Sequence, residues 1–251
     1  MRALNTKTQR HKGRPPGKRW LKSATPFAAF LCAFVSLCLM LSVQASQGTY
    51  TLDQVLTKVG DAGKSFRSMQ GNLERTKVTV LVNDKYTDSG TVYFARSGRD
   101  PRIKIEINKP EEQRMLIDMG KALLYYPKLK QVQEYNLGKN QDKAEFMLIG
   151  FGQSKEDIEK VYNTALRGEE TIDGRKTSIL ELKPKDPKAS ALFTSIQLWI
   201  DQERWIPIQI KTTEASRDYM IMKFTNIKMN VNLPASTFDL KLPKDVQKVK
   251  I

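Results

Sequence analysis

The chain has 251 residues, 40% of them hydrophobic and 27% charged, enough for a substantial core in one or two domains. Lys and Arg exceed Asp and Glu by 42 − 27 = 15 charges. The one His and both Cys, His11, Cys32 and Cys38, all lie before residue 46. Everything after that point therefore lacks a Ser-His-Asp triad, a Cys-His dyad and a His/Cys zinc site.

The N-terminus distorts the charge balance. Residues 1–22 carry eight basic side chains (Arg2, Lys7, Arg10, Lys12, Arg14, Lys18, Arg19, Lys22) and no acid. An apolar run, 24–43, follows, and then Val43-Gln44-Ala45. A positive region, an apolar region and an A-x-A-like site predict a secretory signal cleaved after Ala45. The alternative is an uncleaved inner-membrane anchor at 24–43, since about 20 apolar residues span a bilayer. A basic arm for nucleic acid fits poorly with the apolar run behind it, so no nucleic-acid partner is expected. Cleavage leaves 251 − 45 = 206 residues with a charge of (42 − 8) − 27 = +7. Leu31 and Leu37 precede the two Cys where lipidation needs a small residue, so the product is not expected to be a lipoprotein. The basic residues hold the N-terminus on the cytoplasmic side, which places the remainder across the membrane.

Thr51 followed by Gln54 has the form of a capping box and opens an amphipathic helix over 52–68, carried by Leu52, Val55, Leu56, Val59 and Phe66 and interrupted by Gly60 and Gly63. Period two then takes over. Val78, Val80 and Val82 predict one strand, with a turn at 83–85, and 91–95 a second. Ile103, Ile105 and Ile107 alternate with polar residues, a strand with one wet face. Residues 115–119, 123–126 and 131–135 follow, punctuated by Gly120 and Pro127. Short helices are predicted at 145–149 and 154–161, the second capped by Ser154. Strands resume at 163–168, 171 onward and 177–183, with Asp173-Gly174 as a tight turn. After a short turn or helix at 189–192 come strands at 196–200, 206–210 and 219–231. The stretch 244–251 reads as a strand fringe or a loose tail.

About eleven consecutive strands joined by short turns predict a mainly β (α+β) fold: one antiparallel sheet in meander order. A sheet so wide must curl or split. The simplest architecture is a strongly curved, incompletely closed half-barrel with helices on its concave side, forming a single domain over 46–251.

Carboxylates, Lys, Tyr and Ser are the remaining candidates for catalysis. Glu111-Glu112 and Glu169-Glu170 are adjacent pairs, and neighbours in an extended chain point to opposite faces rather than converge. Gly150-Phe151-Gly152 lacks the later Gly or Lys of a phosphate-binding loop and reads as a turn. No catalytic constellation, metal site or cofactor site is found.

Four segments carry a resemblance. Gly90-Thr-Val-Tyr-Phe-Ala-Arg96 precedes Asp100-Pro101-Arg102-Ile-Lys-Ile. Leu116-Ile-Asp-Met-Gly-Lys121 leads to Leu124-Tyr-Tyr-Pro127. Phe146-Met-Leu-Ile149 forms an apolar centre. Phe224-Thr-Asn-Ile-Lys-Met-Asn-Val-Asn-Leu-Pro234 precedes Phe238-Asp-Leu-Lys-Leu-Pro243. In this order they resemble the LolA family, periplasmic carriers of outer-membrane lipoproteins, over nearly the whole exported chain.

The resemblance implies a function without chemistry. Such carriers take an acylated lipoprotein released by an inner-membrane ABC transporter, shield its acyl chains in the half-barrel, and pass it to an outer-membrane acceptor. It also implies an Arg, here Arg96 or Arg99, that handles cargo and closes a lid. The lid is placed at Phe146, Met147, Leu148, Ile149 and Phe151, with Gly150 and Gly152 as hinges. The cavity is assigned Phe94, Ile105, Ile117, Tyr125, Leu182, Leu198, Met222 and Phe224. Met115, Met119, Met147, Met220, Met222 and Met229 are adaptable side chains suited to varied acyl chains, although such a residue taken singly is more often a core residue than a ligand contact. A monomer is expected. Three alternatives stay open: a carrier of free lipid or glycolipid on the same fold; a periplasmic sensing or interaction domain, which would need a second domain after this one; and an envelope hydrolase, disfavoured by the missing His and Cys.

Overall fold

The computed structural model describes residues 49–97, 100–118, 120–137 and 149–251, all within the compact unit Ser46–Ile251. Helix α1 spans Leu52–Ser65. The Thr51 hydroxyl accepts the Gln54 N–H at 3.3 Å, and the Gln54 side chain accepts the Thr51 N–H at 2.9 Å. These two bonds satisfy amide groups that the first turn leaves unpaired. Val55, Leu56 and Val59 are buried on its inner face.

Six strands follow in meander order: β1 (Ser68–Thr79), β2 (Asp84–Ser97), β3 (Asp100–Lys109), β4 (Gln113–Asp118), β5 (Lys121–Tyr126) and β6 (Gln131–Asn136). Helix α2 (Lys155–Val161) leads to a second meander: β7 (Tyr162–Ile172), β8 (Arg175–Pro184), β9 (Ser195–Asp201), β10 (Pro207–Thr213) and β11 (Tyr219–Met229). Helix α3 (Pro187–Leu192) lies between β8 and β9, and β12 (Gln247–Lys250) comes last. The two meanders join where β11 pairs antiparallel with β1. The result is a twelve-stranded sheet in the order β12-β6-β5-β4-β3-β2-β1-β11-β10-β9-β8-β7, with β12 and β7 as its edges. It is an open half-barrel, as the strand count predicted.

Four local expectations need correction. β1 begins at Ser68, well before Val78, and Val80–Val82 is a 3-10 turn. The early part was hidden because its inward positions run Met69, Gly71, Leu73, Arg75, a poor hydrophobic alternation. Asn83, at φ 50°, supplies the left-handed residue that ends the turn. Residues 162–172 form one strand rather than two, with a register shift between Leu166 and Glu169 at Gly168 (φ 108°). Gly60 and Gly63 do not interrupt α1, and Phe66 lies just past its end. The terminal stretch is neither fringe nor tail: β12 pairs parallel with β6, and its lysines at 248 and 250 mark an edge strand protected against further pairing. The helix expected at 145–149 lies mostly outside the described residues.

The sheet is apolar on both faces at one flank. Inside, Ile103, Ile105, Ile107 and Ile117 join the main core. On the opposite face, Leu116, Tyr125, Val132 and Phe238 are buried outside that core. Phe238 comes from a 3-10 turn (Ala235–Phe238) that packs over β3, and its ring lies 4.7 Å from the Arg102 guanidinium. Arg102 in turn pairs with Asp118 at 2.9 Å. The C-terminal segment thus seals the back of β3–β6.

At the far end of β9, burial alone would raise the Asp201 pKa. A hydrogen bond from the Glu203 N–H and the Arg204 and Arg175 cations outweigh that and hold it below the ordinary carboxylate value. A depressed folded-state pKa stabilises above the unfolded value near 4 and is lost as pH falls through the folded value. Asp201→Asn should therefore flatten the acid limb of stability below about pH 4, measured by urea unfolding across pH. Phe238→Ala should cost about 3–5 kcal/mol by the same method.

Candidate functional site

The centre of the concave face is lined by strands from both meanders. Met69 and Leu73 come from β1, Val92 and Phe94 from β2, Ile103 and Ile105 from β3, and Met222 and Phe224 from β11. Register brings them together. Met69 faces Phe94, Val92 faces Ile105, Phe94 faces Ile103, and Leu73 faces Phe224. Side chains alternate across a strand, so these positions share one face. Phe151 completes the lining from above.

The enclosed space is about 20 Å³, little more than the roughly 10–15 Å³ that one water requires. Phe151 is the reason. Its ring sits 5.7 Å from Phe66 and 5.8 Å, edge-on, from Phe224, while Phe66 stacks 5.0 Å from Phe94. The residue is a plug seated among aromatic side chains of the sheet and the end of α1.

The segment carrying the plug is held by backbone geometry. Gly150 (φ 81°) and Gly152 (φ 78°) both adopt the left-handed conformation that side chains disfavour. A Cβ on Gly63 of α1 would come within 2.9 Å of the Gln153 carbonyl oxygen and 3.0 Å of the Gly152 Cα. A Cβ on Gly60 would come within 3.0 Å of the Lys155 amide nitrogen. The two glycines of α1 are therefore where the helix backbone seats against residues 152–155. The contact continues in α2, where the Ser154 cap holds the first turn and Lys155 pairs with Asp53 of α1.

Arg96, at the end of β2, contacts this segment. Its Nη2 donates to the Gly152 carbonyl at 2.7 Å. A Cβ on Gly152 would lie 2.4 Å from that nitrogen, so a side chain there would have to displace the guanidinium from this pose. One charged side chain at the rim of the sheet thus ties down the segment that plugs the cavity.

Beyond Leu73 and Met222 the concave face turns polar. Arg75 binds the carboxylate of Asp88 through Nε at 3.1 Å and Nη2 at 2.6 Å. The two stand directly opposite each other on β1 and β2. Asp88 is buried and Arg75 half-buried. A buried carboxylate needs such a partner. Tyr126 lies near enough to feel the Arg75 charge: burial raises its pKa first, Tyr135 adds, and Arg75 opposes.

Of the residues assigned from sequence, Phe94, Ile105, Phe151, Met222 and Phe224 meet at the cavity, and Arg96 contacts the lid segment. Ile117, Leu182 and Leu198 belong to the same core without lining the cavity. Tyr125 stands on the opposite face, opposite Arg114 and Val132, because its strand parity differs from that of Leu124. Arg99, Phe146, Met147, Leu148 and Met119 lie outside the described residues. Sequence reasoning missed Met69, Leu73, Val92 and Ile103. The last two were legible, since they share parity with Phe94 and Ile105. Met69 and Leu73 were lost with the start of β1. Glu169 and Glu170 do diverge: Glu169 accepts from Gln202 and the Thr49 N–H, Glu170 from the Trp199 indole. Among the described residues no cluster of His, Cys, Asp and Glu could hold a metal, and no helix is long and apolar enough to cross a membrane.

The family model described as outer membrane lipoprotein carrier protein LolA matches residues 64–241. An uncharacterized protein of Methanocaldococcus jannaschii is 29% identical over 119 residues, 47% of this chain; the chain spans 30% of that relative's length. Among solved structures, an uncharacterized conserved protein of Thermus thermophilus superposes with a TM-score of 0.51 at 16% identity, covering 79% of this chain and 98% of that one. The likeness shows the same fold. The Pseudomonas aeruginosa MucA/MucB complex is also similar, with a TM-score of 0.44 at 13% identity over 74% of this chain and 59% of that one.

The Arg96 contact can be tested directly. A hydrogen bond to a charged group at an exposed site should be worth about 1 kcal/mol, roughly fivefold in an opening equilibrium. Arg96→Met should accelerate amide exchange across 149–153 by about that factor and leave β8–β9 protected. Gly152→Ala, which also strains the backbone, should do so more strongly.

Proposed function

The chain belongs to the LolA family of outer membrane lipoprotein carrier proteins, whose model matches it over residues 64–241. From that membership and the covered apolar cavity we propose that it carries acylated lipoproteins across the periplasm, from the inner to the outer membrane, and performs no chemistry. The family's carriers are periplasmic binding proteins, and the N-terminal signal read from the sequence, cleaved after Ala45, would deliver this chain there. Its partners would be a lipoprotein-releasing ABC transporter on one side and an outer-membrane acceptor on the other.

The observation that carries this reading is the apolar concave face covered by a segment that seats Phe151 in it and contacts Arg96. A carrier faces two opposed demands. Each methylene taken from water gains about 0.8 kcal/mol, so three chains of roughly sixteen carbons represent on the order of 40 kcal/mol of exposure to be offset. Release must nevertheless remain possible. A cavity of about 20 Å³ cannot accept even one such chain without opening. Cargo must therefore displace Phe151 and its segment. Returning a phenylalanine to the core gains about 1.5–3 kcal/mol, so closure itself assists release. Met69 and Met222 in the lining are flexible and polarisable, which suits chains of varied length.

A palmitoylated fluorophore presented to the purified protein tests the binding step. Uptake should be one to one. Arg96→Ala should speed it roughly fivefold by weakening the closed state. Leu73→Trp, which fills the cavity, should weaken binding at least tenfold while urea unfolding confirms a folded protein. Absence of uptake by both the unaltered protein and the Arg96 variant would sink the proposal.

A further inference from the structure

One end of the sheet carries an unusual distribution of side chains. Register places the turns β1–β2, β5–β6 and β10–β11, the α3 connection and the start of β7 at the same end. Eight large hydrophobic residues are exposed among the described residues, and seven lie there: Val80, Leu81, Val82, Tyr86, Leu129, Val161 and Leu192. Arg96 and the plug occupy the opposite end, so this rim is no part of the site described above.

The principal feature is the β1–β2 tip. Leu81 is 93% exposed, Val82 67% and Val80 45%. β3 begins to pair with β2 only at Ser89, so β2 residues 84–88 run past it, about 16 Å at strand rise. The tip is held in place. The Val80 N–H donates to the Asp218 carboxylate at 2.8 Å, and Asn83 closes the turn onto the Val80 carbonyl. Leu129, 67% exposed, crowns the β5–β6 hairpin in the same 3-10 geometry, closed by Lys130 at φ 47°.

Lysines flank each apolar tip: Lys77 and Lys85 beside the first, Lys128 and Lys130 beside the second, Lys160 beside Val161 and Lys188 near Leu192. Of the neighbouring acids, Asp218 is engaged by Val80, Glu111 by Lys128 and Asp245 by Lys130, and Asp186 caps α3; Asp84 sits on the first tip itself, and Glu112, Glu159 and Glu214 are exposed at the same end. The two lysine pairs are exposed and readily exchanged for other anions.

We propose that this rim docks on a lipid bilayer with anionic headgroups, Val80, Leu81 and Val82 entering the acyl boundary while the lysines meet phosphates. A protein partner needs a contiguous patch of about 800 Å² per side. Apolar points spread along one end of a sheet make a poor patch of that kind. They suit a planar, extended partner that is charged at its surface and apolar beneath. The inference deepens the carrier reading by giving the protein a way to approach a membrane, and it stands on different residues.

The test is flotation of the protein, purified from its own envelope fraction, with vesicles of phosphatidylethanolamine and phosphatidylglycerol, and separately of phosphatidylcholine. Binding should favour the anionic vesicles and fall at high salt. Leu81→Glu should weaken it at least tenfold, with unchanged thermal stability and unchanged uptake of the acyl fluorophore. Three results would overturn the docking proposal: no binding to anionic vesicles, binding insensitive to Leu81→Glu, or a tip that proves necessary for a protein contact but not for vesicles. Because acyl uptake is read in the same samples, a failed carrier reading shows as lost uptake in the unaltered protein, whatever the vesicles do.

Discussion

A twelve-stranded sheet with one apolar face must cover that face, and in an open half-barrel it cannot do so by closing on itself. Every other feature of the fold follows from how the cover is made. On the flank of β7–β10 the concave side is packed solid by Leu180, Leu182, Ile196, Leu198 and Ile210. At the centre, among the described residues, the cover comes from α1, α2 and residues 149–153, with Val55, Leu56, Val59, Ile149, Phe151 and Ile158 buried in the core.

The close seating of this cover has a physical basis in glycine. α1 approaches residues 152–155 at backbone distance because Gly60 and Gly63 carry no side chain. Gly150 and Gly152 give the plug segment conformations that other residues resist. Arg96 reaches the Gly152 carbonyl through space that any Cβ would fill. These directional contacts add to the burial of Ile149 and Phe151, both of which belong to the main core.

Much of this was legible in the sequence, and the failures are instructive. The capping box at Thr51, the strand of alternating isoleucines at 103–107 and the hairpin at Asp173-Gly174 all express local rules that tertiary structure did not override. β1 was read late because Gly71 and Arg75 occupy inward positions, the first for close approach to Thr225 and Ile227, the second for its pairing with Asp88. Tyr125 was assigned to the cavity because hydrophobicity alone does not reveal that the back of β3–β6 is also buried. That back surface exists only because the chain returns after β11 to lay Phe238 and β12 against it. A contact between residues more than a hundred positions apart leaves no periodic trace. The Arg96 contact was half-legible: Arg96 was a candidate by resemblance, but its partner, a backbone carbonyl, carries no sequence signature.

The central claim is that the concave cavity carries lipoprotein acyl chains. Native mass spectrometry of the protein purified from its own envelope tests it most directly. The account predicts a bound species with the mass of an acylated peptide or a whole lipoprotein. A phospholipid or glycolipid in its place would contradict the cargo, and an empty protein that also refuses acyl ligand would contradict the carrier itself.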